Sequence, residues 1–458
     1  MSMKKISFLA LTLLIISAVD SNRNLPAAAI FGSPMIFFFI FSAIFFLFPS
    51  SLVSAELSAA FPEKGGIYHW VRIAFGEKTG MCAIWMQWIT TMVWYPTILS
   101  FLAGTGAYLF DPELMNNKIY MVGAIAGIFW ILTLINMFGI HISARVNGIF
   151  CAAGTVVPMI LLIGLGFYWM SSGEAMAISF TMPAIFAKLD QLDTWTALEG
   201  VMVSFIGMEL SGVHVTHVRD PQKNFPRAMI VSSIFILITM LLGSVMIAVV
   251  LPLQKINLAG GLMQVFAAFF QAFHLEPLIF FMSLLIVLGS LGGIINWIIS
   301  PAKGLLNAAE YGYMPPYFSK LNRHGVASRI LVAQAVLVTL FCSLLFLLPS
   351  VNGFYWFLTV LSNCLYMFVY ILMFLAALKL RAQHSGKSFQ IPLGYFGLGV
   401  CCVFGLIGSI LTLVFGFLPP SNVDIGSPLR YTFMITLGII LSFVPLIWFY
   451  AQKKKARI

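Results

Sequence analysis

The chain has 458 residues, of which 60% are hydrophobic and only 9% are charged, and its mean hydropathy is +0.99. That balance excludes a soluble globular domain and points to a polytopic membrane protein with short loops. The net charge of +10 would suggest nucleic acid in a soluble protein, but here the positions of the charges matter more than their sum.

A helix needs about 20 apolar residues to cross a bilayer. In chain order the sequence offers twelve such segments, near 6–31, 33–54, 80–110, 119–138, 147–170, 195–217, 228–252, 276–300, 329–349, 354–378, 394–418 and 430–451. The stretch 262–275 carries Gln264 and Gln271 and is too short to span, so it is expected as a surface or re-entrant helix. With the N-terminus inside and each segment crossing once, the inner loops hold 20 Lys and Arg and the outer loops hold 4 (Lys118, Lys188, Lys255 and Arg430). This bias is the positive-inside signature, and it predicts both termini in the cytoplasm and no nucleic-acid partner. The six cysteines (Cys82, Cys151, Cys342, Cys364, Cys401 and Cys402) lie in apolar segments without metal-site spacing and read as small buried hydrophobes.

Two segments carry charge away from their ends. Segment 1 contains "SAVDSNRNLPAAA" (17–29), with Asp20 and Arg23 among Ser21, Asn22 and Asn24 and ahead of Pro26. Two basic residues, Lys4 and Lys5, precede this segment, so a cleaved signal peptide is the competing reading of the same stretch. Segment 6 contains "VMVSFIGMELSGVHV" (201–215), with Glu209 among Gly207, Ser211 and Gly212. An ionisable residue at bilayer depth needs a reason. Segments 1 and 6 are five apart, so two five-helix repeats related by inversion would make the two breaks equivalent. Interrupted helices at corresponding positions of two halves point to a transporter's binding site. An unwound turn frees amides and carbonyls that lipid cannot satisfy. Half-helix N-termini can then receive a carboxylate, and freed carbonyls an ammonium. An amino acid presents both groups on one carbon. The plain alternative is a pair of kinks and a structural carboxyl.

These residues resemble the amino acid–polyamine–organocation (APC) superfamily. The match rests on "SFIGMELSGVHVTHVRDPQKNFPRAM" (204–229), "AELSAAFPEKGGIYHWVRIAFG" (55–76), "NMFGIHISARVN" (136–147), "LGSLGG" (288–293) and "SPAKGLLNAAEYGYMPPYFSKLNRHGV" (300–326). Within it the chain is similar to the glutamate/GABA antiporter branch at "KINLAGGLMQVF" (255–266), "ISPAKG" (299–304) and "FLPPSNV" (417–423).

The resemblance implies an all-α integral membrane fold of twelve transmembrane helices. It is a 5+5 inverted repeat, leucine-transporter-like, with broken helices 1 and 6. Residues 1–458 would form one transmembrane domain, with a first repeat near 6–170, a second near 195–378 and two extra helices near 394–451. It also implies secondary active transport of amino acids across the bacterial inner membrane by alternating access, as exchange or proton-linked uptake. A sensor with the same fold and a cationic amino acid or polyamine antiporter are the alternatives. No enzyme, cofactor or metal site is expected, since no catalytic motif is present. Partners are an amino acid and the lipid bilayer, with monomer and homodimer both open.

Carried over residue by residue, the resemblance implies that the turn at Ser17, Ala18, Asp20, Ser21, Asn22 and Arg23 holds the substrate carboxylate through backbone amides. The carbonyls of Val203, Ser204, Phe205, Ile206 and Gly207 would take the ammonium. Thr91 and Trp94 of segment 3 would face the site, and Glu209 would sense protons. Val203 and Ile294 stand where the arginine/agmatine antiporter has aromatic lids, which argues against an arginine-type substrate.

Asp20 and Arg23 depart from the family's Gly-Ser-Gly-type break. Three readings stay open for them: a pair with each other, an Arg23–Glu209 pair, or direct contacts with the substrate. Segment 8 offers Ser290 and Asn296 but no adjacent Ser/Thr pair, which favours exchange or proton coupling over sodium. Among the histidines, His69, His141, His324 and His384 lie in or beside inner loops and His274 near the outer surface. His214 and His217 are candidate helpers of Glu209 or merely polar helix-end residues. The chain stops at "AQKKKARI", so the C-terminal plug of the glutamate/GABA antiporter is expected to be absent. On this reading, residues 17–24 remain in the protein as the break of helix 1.

Overall fold

The computed structural model describes residues 5–62, 66–139, 152–310, 312–383 and 388–455. Cys151, His141, His384, Arg145, Lys4, Lys64, Lys387 and Arg457 lie outside these residues. So do the side chains of His214, Asn296, Lys453, Lys454 and Lys455. The architecture is all-helical, and the described residues contain no strand beyond one isolated bridge, Ile6 to Val218.

Nine helices among the described residues are long and apolar enough to cross a membrane, from Met35–Ala60 to Pro428–Ala451. The three predicted crossings outside these nine are segments 1 and 6, each broken, and segment 3. Segment 3 is the 31-residue helix Glu77–Ala107, whose Gln87, Thr90, Thr91, Thr97 and Ser100 lower its hydropathy. Its length of about 46 Å at 1.5 Å per residue exceeds the hydrocarbon core.

Prolines shape the long helices. Segments 2 and 5 each contain a widened turn, Ala43–Leu47 ahead of Pro49 and Ala152–Val156 ahead of Pro158. A proline cannot donate to the carbonyl four residues back and its ring pushes that carbonyl away, so the preceding turn opens. In segment 5 the opened turn presents the Thr155 carbonyl, which accepts from the Asn22 side-chain amide at 3.0 Å.

Segment 1 begins at Phe8, where the Ser7 hydroxyl accepts from the Ala10 N–H at 3.3 Å. The helix Phe8–Val19 stops at Asp20 and Ser21, both extended, and resumes through a tight turn, Asn22–Asn24, into Leu25–Ala29. Asp, Ser and Asn side chains compete for nearby backbone groups and favour caps over helix interiors. Pro26 sits in the first turn of the second half, where its missing N–H costs nothing. Segment 6 mirrors this, with helix Ala197–Met202, a turn through Val203–Gly207, and a tight helix Met208–His217. Gly207 has φ +114°, a conformation a side chain rarely adopts.

The two broken helices cross closely. Gly200 packs against the Ala27 carbonyl, leaving no room for a Cβ. The Asn24 amide donates to the Val203 carbonyl at 3.1 Å, joining one break to the other. At the far end Ile6 and the 217–219 strand of chain exchange backbone bonds of 2.8 and 3.0 Å.

Two short helices lie beside the spans. Gly261–Ala272 covers the expected 262–275 stretch with 12 residues, and it buries Leu262, Met263, Phe266 and Phe269 against the bundle. Gly66–Phe75 was not expected; it is amphipathic, burying Ile67, Trp70, Val71 and Ala74 beneath segments 3 and 10. Nearby, a buried ion pair joins Arg381 after segment 10 to Glu56 of segment 2 at 2.5 Å.

Candidate functional site

The two breaks open on one cavity of about 570 Å³. That is within the usual range for small-molecule sites. Its wall includes residues 17–24, Thr91 and Trp94 of segment 3, Val203, Ile206, Gly207 and Glu209 of segment 6, and Ile294 of segment 8. The expected site residues Ser17, Ala18, Asp20, Ser21, Asn22, Arg23, Thr91, Trp94, Val203, Ile206, Gly207, Ile294 and Glu209 thus come together around one space. Ser204 and Phe205 are not in its wall. Both side chains are fully buried, and Phe205 packs edge-on against Phe39 at 5.8 Å. The cavity extends from the breaks past Ile67, Tyr68, Ile84, Pro301 and Gly304.

The backbone at the breaks is unspent. The N–H groups of Ser21, Asn22 and Arg23 meet no acceptor among the described residues, and they begin the second half of helix 1. Across from them, the carbonyls of Ser204, Phe205 and Ile206 receive no donor among the described residues. Buried backbone groups are nearly always paired. Free donors on one break and free acceptors on the other are chemically suited to a small molecule that carries an anion and an ammonium together.

Glu209 is 2% exposed and held by two tyrosines of segment 10. The Tyr366 hydroxyl donates to Oε1 at 2.5 Å, and the Tyr370 hydroxyl donates to Oε2. Tyr370 in turn accepts from the Gly207 N–H at 2.9 Å, and Tyr366 from the Gln87 side chain at 3.1 Å. The carboxyl is thus wired to the segment 6 break through one phenol and to segment 3 through the other.

Arg23 is 4% exposed. Its Nη1 donates to the Thr97 hydroxyl at 2.6 Å, and its guanidinium lies 4.7 Å from the centre of the Trp94 ring. The Arg23 carbonyl accepts from the Tyr355 hydroxyl at 2.9 Å. Asp20 accepts from the Thr239 hydroxyl of segment 7 at 2.9 Å. Neither ion pair envisaged from the sequence is formed: Arg23 lies beyond 4 Å of both the Asp20 and the Glu209 carboxylates. The tyrosines occupy Glu209, and Trp94 and Thr97 occupy one side of Arg23.

Several residues around the site escaped the sequence reading. Tyr355, Ser362, Tyr366 and Tyr370 repeat at helical spacing along segment 10, a polar stripe in a helix that is otherwise apolar and largely buried. That stripe was a readable signal. Trp297, 5.5 Å from Trp94, lines the cavity one turn after Ile294, so an aromatic wall exists although position 294 is aliphatic. Glu199, fully buried and bonded by Asn363 at 2.8 Å, is a second carboxyl in segment 6. No group of three or more His, Cys, Asp or Glu that would suit a metal occurs among the described residues.

Comparison with known proteins bears on the family and the fold. The profile of the amino acid permease family matches residues 6–440. An uncharacterized transporter of Legionella pneumophila is 38% identical over 456 residues, which is 99% of this chain and 97% of that protein. A glutamate/gamma-aminobutyrate antiporter of Lactococcus lactis is 26% identical over 450 residues, 96% of this chain and 89% of the relative. Among solved structures, MhsT in complex with L-phenylalanine superposes with a TM-score of 0.58 at 13% identity, covering 89% of this chain and 98% of that one. That likeness shows the leucine-transporter-like fold.

Proposed function

The chain belongs to the amino acid permease family, and from that premise we propose that it exchanges amino acids across the cytoplasmic membrane by alternating access. Its family is one of amino acid transport; exchange, the site and the orientation are the proposal. The carrying observation is the pairing of unspent N–H groups at Ser21–Arg23 with the unspent Ile206 carbonyl around one cavity, the unspent carbonyls of Ser204 and Phe205 belonging to the same turn. The α-carboxylate takes the amides at the N-terminus of the second half of helix 1, where the helix dipole adds attraction. The α-ammonium takes the carbonyls of the segment 6 break. The name of the Lactococcus relative, an antiporter, supports exchange.

With the termini cytoplasmic, the cavity's extension toward Tyr68, Pro301 and Gly304 is an inward opening. The repeats near 6–170 and 195–378 are then the parts that move against one another around the breaks. Glu209 is the group through which protons bias that movement, because its tyrosine partners fix the Gly207 turn and segment 3 at once. Counterflow tests this reading. Proteoliposomes are loaded with single unlabelled amino acids, with no sodium gradient, and uptake of the radiolabelled partner is followed. Transient accumulation is expected for at least one amino acid; uptake that needs an imposed sodium gradient contradicts exchange.

A further inference from the structure

We infer that Arg23 selects the substrate: its guanidinium receives an anionic side-chain group, so the cavity favours α-amino acids with a second carboxylate over their neutral analogues. The inference rests on the reading that the two breaks hold the α-amino-acid head. With the head accommodated by backbone at both breaks, the guanidinium is a surplus positive charge in the wall.

Arg23 is only 4% exposed, and among the described residues it makes no ion pair. A buried cation in a membrane protein generally has a partner, because desolvating it alone is costly. Its protein contacts are all neutral. Nη1 donates to Thr97 at 2.6 Å, one face rests on Trp94, and Nε meets no acceptor. The orientation is set rather than loose. The Thr97 hydroxyl donates its own proton to the Trp94 carbonyl at 2.7 Å, leaving a lone pair turned to Arg23. Arg23 and the Trp94 that carries its guanidinium both line the cavity.

The remaining N–H groups of a guanidinium form a planar fork that matches a carboxylate. No nearby carboxyl stands in for the ligand. Asp20 is bonded to Thr239 and Glu209 to the two tyrosines. A cationic side chain is disfavoured by the same charge, consistent with an aliphatic residue at Val203 and at Ile294.

The test is counterflow of radiolabelled L-glutamate and L-glutamine in proteoliposomes, for wild type, Arg23→Gln and Arg23→Lys. These two substrates differ only in the charge of the side-chain end. Wild type should prefer glutamate by at least about 30-fold in kcat/KM, the scale expected for a buried charge pair. Arg23→Gln should bring the ratio close to one by lowering kcat/KM for glutamate far more than for glutamine, and Arg23→Lys should fall between. Equal loss of both substrates would overturn the proposal and move Arg23 to the α-carboxylate. An unchanged ratio in Arg23→Gln, or a wild-type preference for glutamine, would overturn it as well. If wild type exchanges no amino acid, the exchange reading fails by itself. Saturable binding of the same two labelled ligands to the purified protein in detergent then decides the role of Arg23 by the same ratio, and absence of saturable glutamate binding overturns it. Gel filtration and thermal melting establish folding; if Arg23→Gln does not fold, Arg23→Lys carries the test through a ratio reduced at least several-fold.

Discussion

Removing one oxygen from segment 10 separates two roles that the structure gives to neighbouring tyrosines. Tyr370→Phe keeps the ring, which packs at 4.7 Å on Phe46 and 5.3 Å on Tyr366, and deletes only the hydroxyl. That hydroxyl donates to Glu209 and accepts from the Gly207 N–H. Gly207 lies in a turn at φ +114°, which fixes the direction of its buried N–H and leaves the Glu209 carboxylate as its remaining acceptor. Stranding such a donor costs about 1–3 kcal/mol. Tyr366→Phe also removes a donor from Glu209, but the group it strands is the Gln87 side-chain amide, which is only partly buried and can rotate. Its cost should be nearer the average of about 0.6 kcal/mol for a hydrogen bond between membrane helices. Tyr370→Phe is therefore expected to destabilise by about 1 kcal/mol or more beyond Tyr366→Phe. Reversible unfolding in mixed detergent and SDS, read by tryptophan fluorescence, measures both. Equal costs, or a larger cost for Tyr366→Phe, would refute the assignment of Tyr370 as the clamp on the segment 6 turn.

Other consequences can be checked with the same preparations. Glu209→Gln should flatten the pH dependence of uptake in proteoliposomes, and an unchanged profile would remove Glu209 from proton sensing. Asn24→Ala cuts the 3.1 Å bond to the Val203 carbonyl and should lower exchange with a stability loss of about 1 kcal/mol; wild-type exchange would show that the link between the breaks is dispensable. Gly200→Leu drives a side chain into the Ala27 carbonyl, and because backbone cannot yield there, exchange should be lost even where the protein still elutes as a single species. Glu56→Gln removes the counter-charge 2.5 Å from buried Arg381, leaving it only neutral acceptors such as Gln390, and should cost about 3–5 kcal/mol in unfolding, with little dependence on salt. A cost under about 1 kcal/mol, the scale of a surface pair, would contradict its burial.

What was legible in the sequence follows from how local each cause is. The segment 1 break is written in adjacent residues: Asp20, Ser21, Asn22 and Asn24 are poor helix formers and Pro26 starts a new helix. Segment 6 announces itself in the same way through Gly207 and Glu209. The partners of the charges are not local. Thr239, 219 residues from Asp20, and Tyr366, 157 residues from Glu209, are ordinary membrane-helix residues until packing brings them close. A pair between Asp20 and Arg23 needs a continuous helix to place them one turn apart, whereas the extended backbone at Asp20 and Ser21 breaks that geometry. The helix Gly66–Phe75 went unread because it is too short for a span and its apolar stripe faces the bundle rather than lipid. Trp297 is not visible from position 294 alone, because the aromatic wall is supplied by the next turn of the same helix.

The central claim is that the free amides of residues 21–23 and the segment 6 turn, with the free Ile206 carbonyl at the cavity, hold the two ends of an α-amino-acid head. Competition by head-group analogues tests it most directly. For the amino acid found to exchange, the N-acetyl derivative and the α-carboxamide are each compared with the parent as inhibitors of counterflow. Each analogue removes one charged end, so each should weaken inhibition by at least about 10-fold, the value of one charge-assisted hydrogen bond. An N-acetyl derivative or an α-carboxamide that competes as well as the parent would contradict the account.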